Sequence, residues 1–203
     1  MKISVSIASM WWRGQKDSAL AALNNKDIEH PLYIEKAFSY GKGAHIAWEM
    51  ETKQTGKLPA IFKLPDNFRV IATEKKIYKK ITETDWLSGK VDAVAIAKIE
   101  DKEVGVIIDY KTGSKSDRWQ SCVYHYLMHD SPWWNGVVGV EPGLFIYCTM
   151  DKITGETSNE IIKLTKPETA KDYETPDATT LTTGENFILT VVEDIKNYLE
   201  IPL

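Results

Sequence analysis

The chain has 203 residues, enough for a domain with a buried core, and its 43% hydrophobic and 27% charged residues are typical of globular proteins. The formal net charge of −4 argues mildly against a protein that coats nucleic acid non-specifically, but it does not exclude other contacts with nucleic acid, because a bound cation can offset clustered acidic residues. There is no apolar run of membrane-spanning length and no signal-peptide pattern, so we expect a cytoplasmic protein. Cys122 and Cys148 lie in apolar surroundings, and we expect both to be reduced.

The N-terminal part of the chain, roughly the first 60 residues, is predicted to be mainly helical. Apolar residues at helical spacing indicate one helix over about 14–24 and a second over about 33–53. Gly41 and Gly43 weaken the middle of the second helix, so we expect close packing or a bend there. Residues 56–68 contain two prolines and predict a connector.

The remainder of the chain predicts a sheet covered by helices. Short apolar or alternating runs predict strands over 68–81, 89–99, 103–111, 143–150 and 159–164, the last of them an edge strand. A helix is predicted over about 117–129, a loop over 132–136, an irregular segment over 166–183 and a closing amphipathic helix over about 184–200. This order predicts a single α/β domain with a central mixed sheet of about five strands, its catalytic core spanning about 61–165.

The most informative stretch is the end of the strand over 103–111, where Asp109, Tyr110 and Lys111 follow an apolar run. Charged residues at the end of a buried strand are costly unless something nearby requires charge. Because Asp109 and Lys111 are two residues apart, they point to the same face of a strand. A carboxylate beside an ammonium can hold a metal ion and steer a water molecule, which is the chemistry of phosphodiester hydrolysis.

Three further motifs accompany this one: a glycine-rich segment that ends in His45, a Gly-x-x-Asp that ends in Asp92, and Gln120-x-x-x-Tyr124 on one helix face. Each has a simpler explanation when taken alone. His45 could be a core or surface histidine, and Asp92 could be a turn or cap residue. Asp109 could form a plain ion pair with its neighbouring lysine, and the glutamine and tyrosine could be helix surface and core.

In this order and at these separations, the four motifs resemble the RecB-like branch of the PD-(D/E)XK nuclease superfamily, which includes the CRISPR-associated exonucleases and many phage recombination nucleases. The resemblance covers roughly residues 41–126. It implies a restriction-endonuclease-like fold and a metal-dependent nuclease in which Asp92 and Asp109 are catalytic. The implied metal ligands are the side chains of His45, Asp92 and Asp109 and the backbone carbonyl of Tyr110.

The resemblance also implies roles for the other polar residues of the motifs. Lys111 would be catalytic, orienting or activating the attacking water and stabilising charge in the transition state. Gln120 and Tyr124 would position Lys111 or a DNA phosphate. Lys115 and Arg118, in the basic cluster that follows the strand, are the further candidates for DNA binding.

The expected cofactor is Mg²⁺ or Mn²⁺, because both prefer oxygen ligands, and an imidazole ligand tilts the preference towards Mn²⁺. CRISPR-associated members often carry an early cysteine and three late ones that hold an iron–sulfur cluster. This chain lacks that pattern, so we expect no cluster. Glu74 falls where the family often has an acid, but it is interpreted as a solvated or structural residue, as is Glu49.

The predicted function is therefore a Mg²⁺- or Mn²⁺-dependent DNA nuclease that hydrolyses phosphodiester bonds, acting as an exonuclease on DNA ends or single strands in recombination or end processing. Three alternatives stay open. One is a structure-specific or single-strand endonuclease similar to a resolvase, another is a non-catalytic DNA-binding module of the same fold, and the third is a chance match in an unrelated α/β protein. DNA is the expected partner and a membrane is not, while phage origin, a recombination or single-strand-annealing partner and oligomer formation stay open.

Overall fold

The computed structural model describes residues 1–26, 32–113, 118–129, 131–164 and 181–199. The helices are α1 (Val5–Trp12), α2 (Lys16–Leu23), α3 (Leu32–Thr55), α4 (Arg118–Met128) and α5 (Leu181–Tyr198). The strands are β1 (Lys2–Ser4), β2 (Phe68–Lys80), β3 (Trp86–Ile99), β4 (Lys102–Thr112), β5 (Pro142–Met150) and β6 (Thr157–Lys163). Among these residues, no helix has the length and apolarity that crossing a lipid bilayer requires.

The predicted mixed α/β class, with a central sheet flanked by helices, is confirmed, and β6 lies at the sheet edge as expected. The prediction misses β1 and α1, and it begins β3 at Gly89 instead of Trp86. It also assigns a loop where Trp134–Val138 forms a π-helical turn. The irregular segment predicted over 166–183 lies largely outside the described residues.

The unpredicted N-terminal elements depend on contacts with a distant part of the chain. β1 is three residues long and pairs in parallel with Trp86–Ser88 of β3. Ser4 then caps α1, since its Oγ accepts a hydrogen bond from the Ile7 amide at 3.1 Å. Three residues are too few to show the alternation of apolar and polar side chains that predicts a strand. The pairing with β3 therefore makes this segment a strand.

The sheet is organised around β3. The strand order is β1-β3-β4-β5-β6, with β2 also paired to β3. β2 runs antiparallel along one edge of β3 over most of its length. The opposite edge is shared, because β1 lies beside Trp86–Ser88 and β4 lies antiparallel beside Ala93–Ile99. β4 and β5 are parallel, which makes the sheet mixed.

Helices cover both faces of the sheet and create two core layers. Residues of α1, α2, α4 and α5 pack with alternate side chains of β3, β4 and β5 in the larger layer. On the opposite face, Trp48 of α3 and Phe62 of the 3₁₀ turn Ala60–Phe62 pack against Ala95, Ile108 and their neighbours. The central strands β3, β4 and β5 are therefore buried on both sides, and polar side chains within them require partners.

Asp85, just before β3, is fully buried and forms an ion-pair anchor with two distant parts of the chain. Lys196 of α5 contacts its Oδ2 at 2.8 Å, and the amino group of Met1 contacts its Oδ1 at 2.8 Å. Burial alone would raise the pKa of Asp85, but these cations and the Thr82 hydroxyl outweigh it and hold the pKa well below the usual range.

Replacement of Asp85 by asparagine is expected to lower the free energy of unfolding by about 3 kcal/mol at pH 7, because it leaves Lys196 buried without its counter-charge. Since the folded pKa of Asp85 is depressed, its contribution is present above the ordinary value of 3.8 and is lost as the pH falls below it. Urea unfolding at pH 7 and pH 3 measures this, and the gap between the variant and the wild type should narrow at pH 3.

The matched control is Asp101→Asn, which removes the same charge from a side chain that is 93% exposed. It should change the free energy of unfolding by less than about 1 kcal/mol. Equal midpoints for wild type and Asp85→Asn at pH 7 would show that the anchor does not stabilise the fold.

Candidate active site

The site lies where β3 and β4 separate. On the shared edge of β3, β1 pairs with residues up to Ser88 and β4 begins to pair at Ala93, which leaves 89–92 without a strand partner on that side. Asp92 lies in this gap, and its Oδ2 accepts a hydrogen bond from the Tyr110 amide of β4 at 2.7 Å. The carboxylate therefore replaces a strand as the partner of β4 and is fixed at the opening. Because β3 begins at Trp86, Asp92 lies well inside the strand. The sequence analysis began this strand at Gly89 and so placed Asp92 nearer to its start.

The alternation of side chains along β3 breaks at Asp92. Val91 packs in the larger core layer, whereas Ala93 packs in the layer under α3, although residues two apart on a regular strand share a face. On the neighbouring β2, the register places Glu74 opposite Asp92. Glu74 has a φ of 52°, a left-handed conformation that costs a non-glycine residue about 1–3 kcal/mol. The two acids therefore occupy matched irregularities on adjacent strands.

His45 reaches the same place from α3. Its Nδ1 lies 3.2 Å from Asp92 Oδ1, and its ring packs 5.5 Å from that of Trp48. A close approach of α3 to β4 makes this contact possible, since a Cβ at Gly41 would lie only 3.0 Å from the Thr112 hydroxyl. The helix is continuous through its glycines, so Gly41 marks close packing and not a bend.

Asp109 and Lys111 share a face of β4, as predicted, and form an ion pair in which Lys111 Nζ lies 2.7 Å from Asp109 Oδ2. Gln120 of α4 donates a hydrogen bond from Nε2 to Asp109 Oδ1 at 3.2 Å. Asp109 is only 4% exposed, whereas the Lys111 side chain is 31% exposed. The ammonium therefore lies between a buried carboxylate and the solvent.

The electrostatics of the site disfavour charge on Asp109. Burial raises its pKa, Lys111 lowers it, Asp92 raises it further, and the net result is a pKa of about 6. For His45, burial lowers the pKa, but the hydrogen bond and charge of Asp92, together with Asp109 and Glu74, outweigh burial and raise it. The carboxylates of the site thus stabilise a positive charge placed near them. Burial makes the negative charge of Asp109 unfavourable unless such a positive charge is present.

Glu74 joins this cluster, although the sequence analysis interpreted it as a solvated or structural residue at a position where the family often has an acid. Ligand atoms of His45, Glu74 and Asp92 all lie within 4.8 Å of one another. The Glu74 carboxylate also forms an ion pair with Lys90 of β3. The sequence signal was weak, because Glu74 stands directly before two lysines in a run that reads as an exposed strand face.

Tyr124 of α4 packs against β3 and bonds to its backbone. Its hydroxyl donates a hydrogen bond to the Lys90 carbonyl at 2.7 Å, and the residue is 4% exposed. A Cβ at Gly89 would lie 2.8 Å from the Tyr124 ring and 2.5 Å from Leu127. The glycine of the Gly-x-x-Asp motif is therefore required by the close packing of α4 on β3, and Tyr124 holds β3 through the Lys90 carbonyl.

A cleft of about 570 Å³ opens over these groups. It brings together seven of the residues singled out from the sequence: His45, Asp92, Asp109, Tyr110, Lys111, Gln120 and Tyr124. Three lysines that the sequence did not assign to the site also line it, namely Lys42, Lys90 and Lys152. Of the predicted DNA contacts, Lys115 lies outside the described residues, and Arg118 begins α4 with a side chain that is not described.

The donor set fits a divalent cation. Carboxylate oxygens suit Mg²⁺ and Mn²⁺, and one imidazole nitrogen is compatible with Mn²⁺. Asp109 Oδ2 is buried and has no hydrogen-bond partner of acceptable geometry within the described part of the chain, despite its contact with Lys111. A cation next to these carboxylates would offset both the burial of Asp109 and its repulsion by Asp92.

Comparison with known proteins gives one family. The sequence model of the PD-(D/E)XK nuclease superfamily matches residues 14–202. The solved structure titled "Crystal structure of SSO0001" is 15% identical, and the alignment covers 95% of this chain and 75% of that chain with a TM-score of 0.48. None of the curated proteins matches the chain.

Replacement of Gly89 by alanine is expected to destabilise the protein by about 1–3 kcal/mol, because the new methyl group would overlap Leu127 and the hydrogen-bonded Tyr124 ring. Gly43→Ala is the matched control, since nothing lies within 4 Å of a Cβ there and alanine favours the helix by up to about 1 kcal/mol. Urea unfolding of both variants tests the packing, and a Gly89→Ala protein as stable as the wild type would contradict it.

Proposed function

Because the chain belongs to the PD-(D/E)XK nuclease superfamily, we propose that it is a Mg²⁺- or Mn²⁺-dependent deoxyribonuclease of the RecB-like branch, acting as an exonuclease on DNA ends or single strands. The proposal assigns the catalytic centre to the opening between β3 and β4. The superfamily accounts for a metal-dependent nuclease, and the residues of this opening support the more specific assignment.

The observation that carries the proposal is the convergence of four chain segments on one cleft. His45 comes from α3, Asp92 from β3, Asp109 and Lys111 from β4, and Gln120 from α4. They are joined by direct contacts of 2.7–3.2 Å: Lys111 to Asp109, Gln120 to Asp109, and His45 to Asp92. Structural ion pairs alone would not require an imidazole and two carboxylates at a solvent-accessible opening.

In this proposal the ligands of the cation are His45, Asp92, Asp109 and the backbone carbonyl of Tyr110. The cation would supply Lewis acidity and a water of lowered pKa. Lys111 would orient the attacking water and donate hydrogen bonds to the phosphoryl oxygens on which negative charge develops. Asp109 holds the ammonium in place, and Gln120 in turn fixes the Asp109 carboxylate.

The lining of the cleft supports a nucleic-acid substrate. Lys42 of α3 and Lys152, in the turn between β5 and β6, add positive charge beyond the acidic centre. Asp151 shapes that turn, because its Oδ1 accepts the amides of Ile153 and Thr154 at 2.8 Å each. Phe38 also lines the cleft and is 60% exposed, which provides an aromatic surface for base stacking. Stacking requires unpaired bases and therefore favours single strands or frayed ends.

The test compares end-labelled linear single-stranded DNA with circular single-stranded DNA, each with Mn²⁺, Mg²⁺ or chelator. We expect metal-dependent degradation of the linear substrate and persistence of the circle. Asp109→Asn and Lys111→Ala should each lower the rate by about 10²–10³-fold, because each removes a group that stabilises the transition state or its positioning. Thermal unfolding checks that both variants fold.

The matched controls are Lys98→Ala and Asp101→Ala, which break an exposed ion pair of 2.9 Å at the β3–β4 turn and should leave the rate unchanged. Cleavage of the circle would replace the exonuclease assignment with an endonuclease. Wild-type rates in Asp109→Asn would reject the proposed centre.

A further inference from the structure

Glu74 pairs with Lys90, but its position also allows its carboxylate to reach a cation. Its side chain is 18% exposed, and its carboxylate lies in the same cluster as His45 and Asp92, with ligand atoms within 4.8 Å of one another. Ligand atoms around one Mg²⁺ at about 2.1 Å lie roughly 3 Å apart when adjacent and roughly 4.2 Å apart when opposite. Small side-chain rotations would therefore bring all three groups onto one ion.

The backbone places Glu74 at this point. It stands opposite Asp92 in the register of β2 and β3, and its left-handed φ of 52° coincides with the break in alternation on β3. The His45 imidazole completes a mixed nitrogen and oxygen set, which differs from a surface cluster of acids alone.

Lys90 is already paired with the Glu74 carboxylate that a cation would bind. Its ammonium forms an ion pair with Glu74, while its own side chain is 56% exposed and lines the cleft. A cation that binds the Glu74 carboxylate must displace this ammonium. Because the Lys90 side chain is exposed and lines the cleft, the displaced ammonium would stay in the cleft, where it can pair with a phosphate.

We infer that Glu74 is a further ligand of the divalent cation, and that Lys90 competes with the cation for the Glu74 carboxylate. The inference rests on the proposed metal site and adds a ligand to it. It gives the site three acidic side chains, Glu74, Asp92 and Asp109, and makes cation affinity depend on whether Lys90 is engaged with Glu74.

Direct titration of Mn²⁺ into the protein without DNA, followed by electron paramagnetic resonance, measures the ligand set independently of activity. Glu74→Gln is expected to weaken Mn²⁺ binding at least about tenfold. Glu74→Asp, which keeps the charge but withdraws the carboxylate by one methylene, should weaken binding nearly as much. Glu49→Gln removes a nearby acid outside the cluster and should have little effect.

The role of Lys90 is tested by a double-mutant cycle. Lys90→Met is expected to tighten Mn²⁺ binding about fivefold in the wild type, because it removes the competing ammonium. In the Glu74→Gln background the same change should have little effect, since the contested carboxylate is gone. Thermal unfolding of each variant confirms that it is folded.

Wild-type Mn²⁺ affinity in Glu74→Gln, or full retention of affinity in Glu74→Asp, would overturn the ligand assignment. An equal effect of Lys90→Met in both backgrounds would show a general charge effect and overturn the competition. Asp92→Asn separates these failures from that of the proposed function. If the wild type binds Mn²⁺ and loses it in Asp92→Asn, the metal site stands even where Glu74 has no part in it.

Discussion

The hydrogen bond from the Tyr110 amide to the Asp92 carboxylate is the contact on which the geometry of the site depends. A buried strand amide needs a partner, and here an acidic side chain supplies it at the point where β3 and β4 separate. One oxygen of Asp92 is used in this way, while the other lies 3.2 Å from His45 Nδ1, and both residues line the cleft. The fold therefore fixes one carboxylate firmly, and α3, α4, β2 and β4 contribute the other groups around it.

The charge of the site is balanced only in part by the protein itself. Lys111 pairs with Asp109 and Lys90 pairs with Glu74, yet burial still raises the pKa of Asp109 to about 6. Concentrating carboxylates near the core costs stability, because each buried negative charge loses its hydration. A divalent cation would relieve this repulsion, and it would also supply the Lewis acid for the proposed phosphodiester hydrolysis.

The sequence predicted the parts of this arrangement that follow from local pattern. Asp109 and Lys111 were placed on one strand face by their spacing, and the structure shows them in contact. The resemblance pointed to an acid at Glu74, but its place beside Asp92 depends on a strand register and a left-handed backbone conformation, and neither can be read from a lysine-rich segment. β1 was not predicted for a related reason, since its three residues become a strand only through pairing with β3. Local periodicity thus predicted the elements, whereas non-local pairing decided which acids meet.

The most direct measurement is anomalous X-ray scattering from crystals of the protein grown with Mn²⁺. The account predicts an anomalous peak at the opening between β3 and β4, within about 2.0–2.3 Å of His45, Asp92 and Asp109 side-chain atoms. A peak elsewhere on the protein, with none between these three residues at a Mn²⁺ concentration that supports cleavage, would contradict the central claim that this opening is a metal centre.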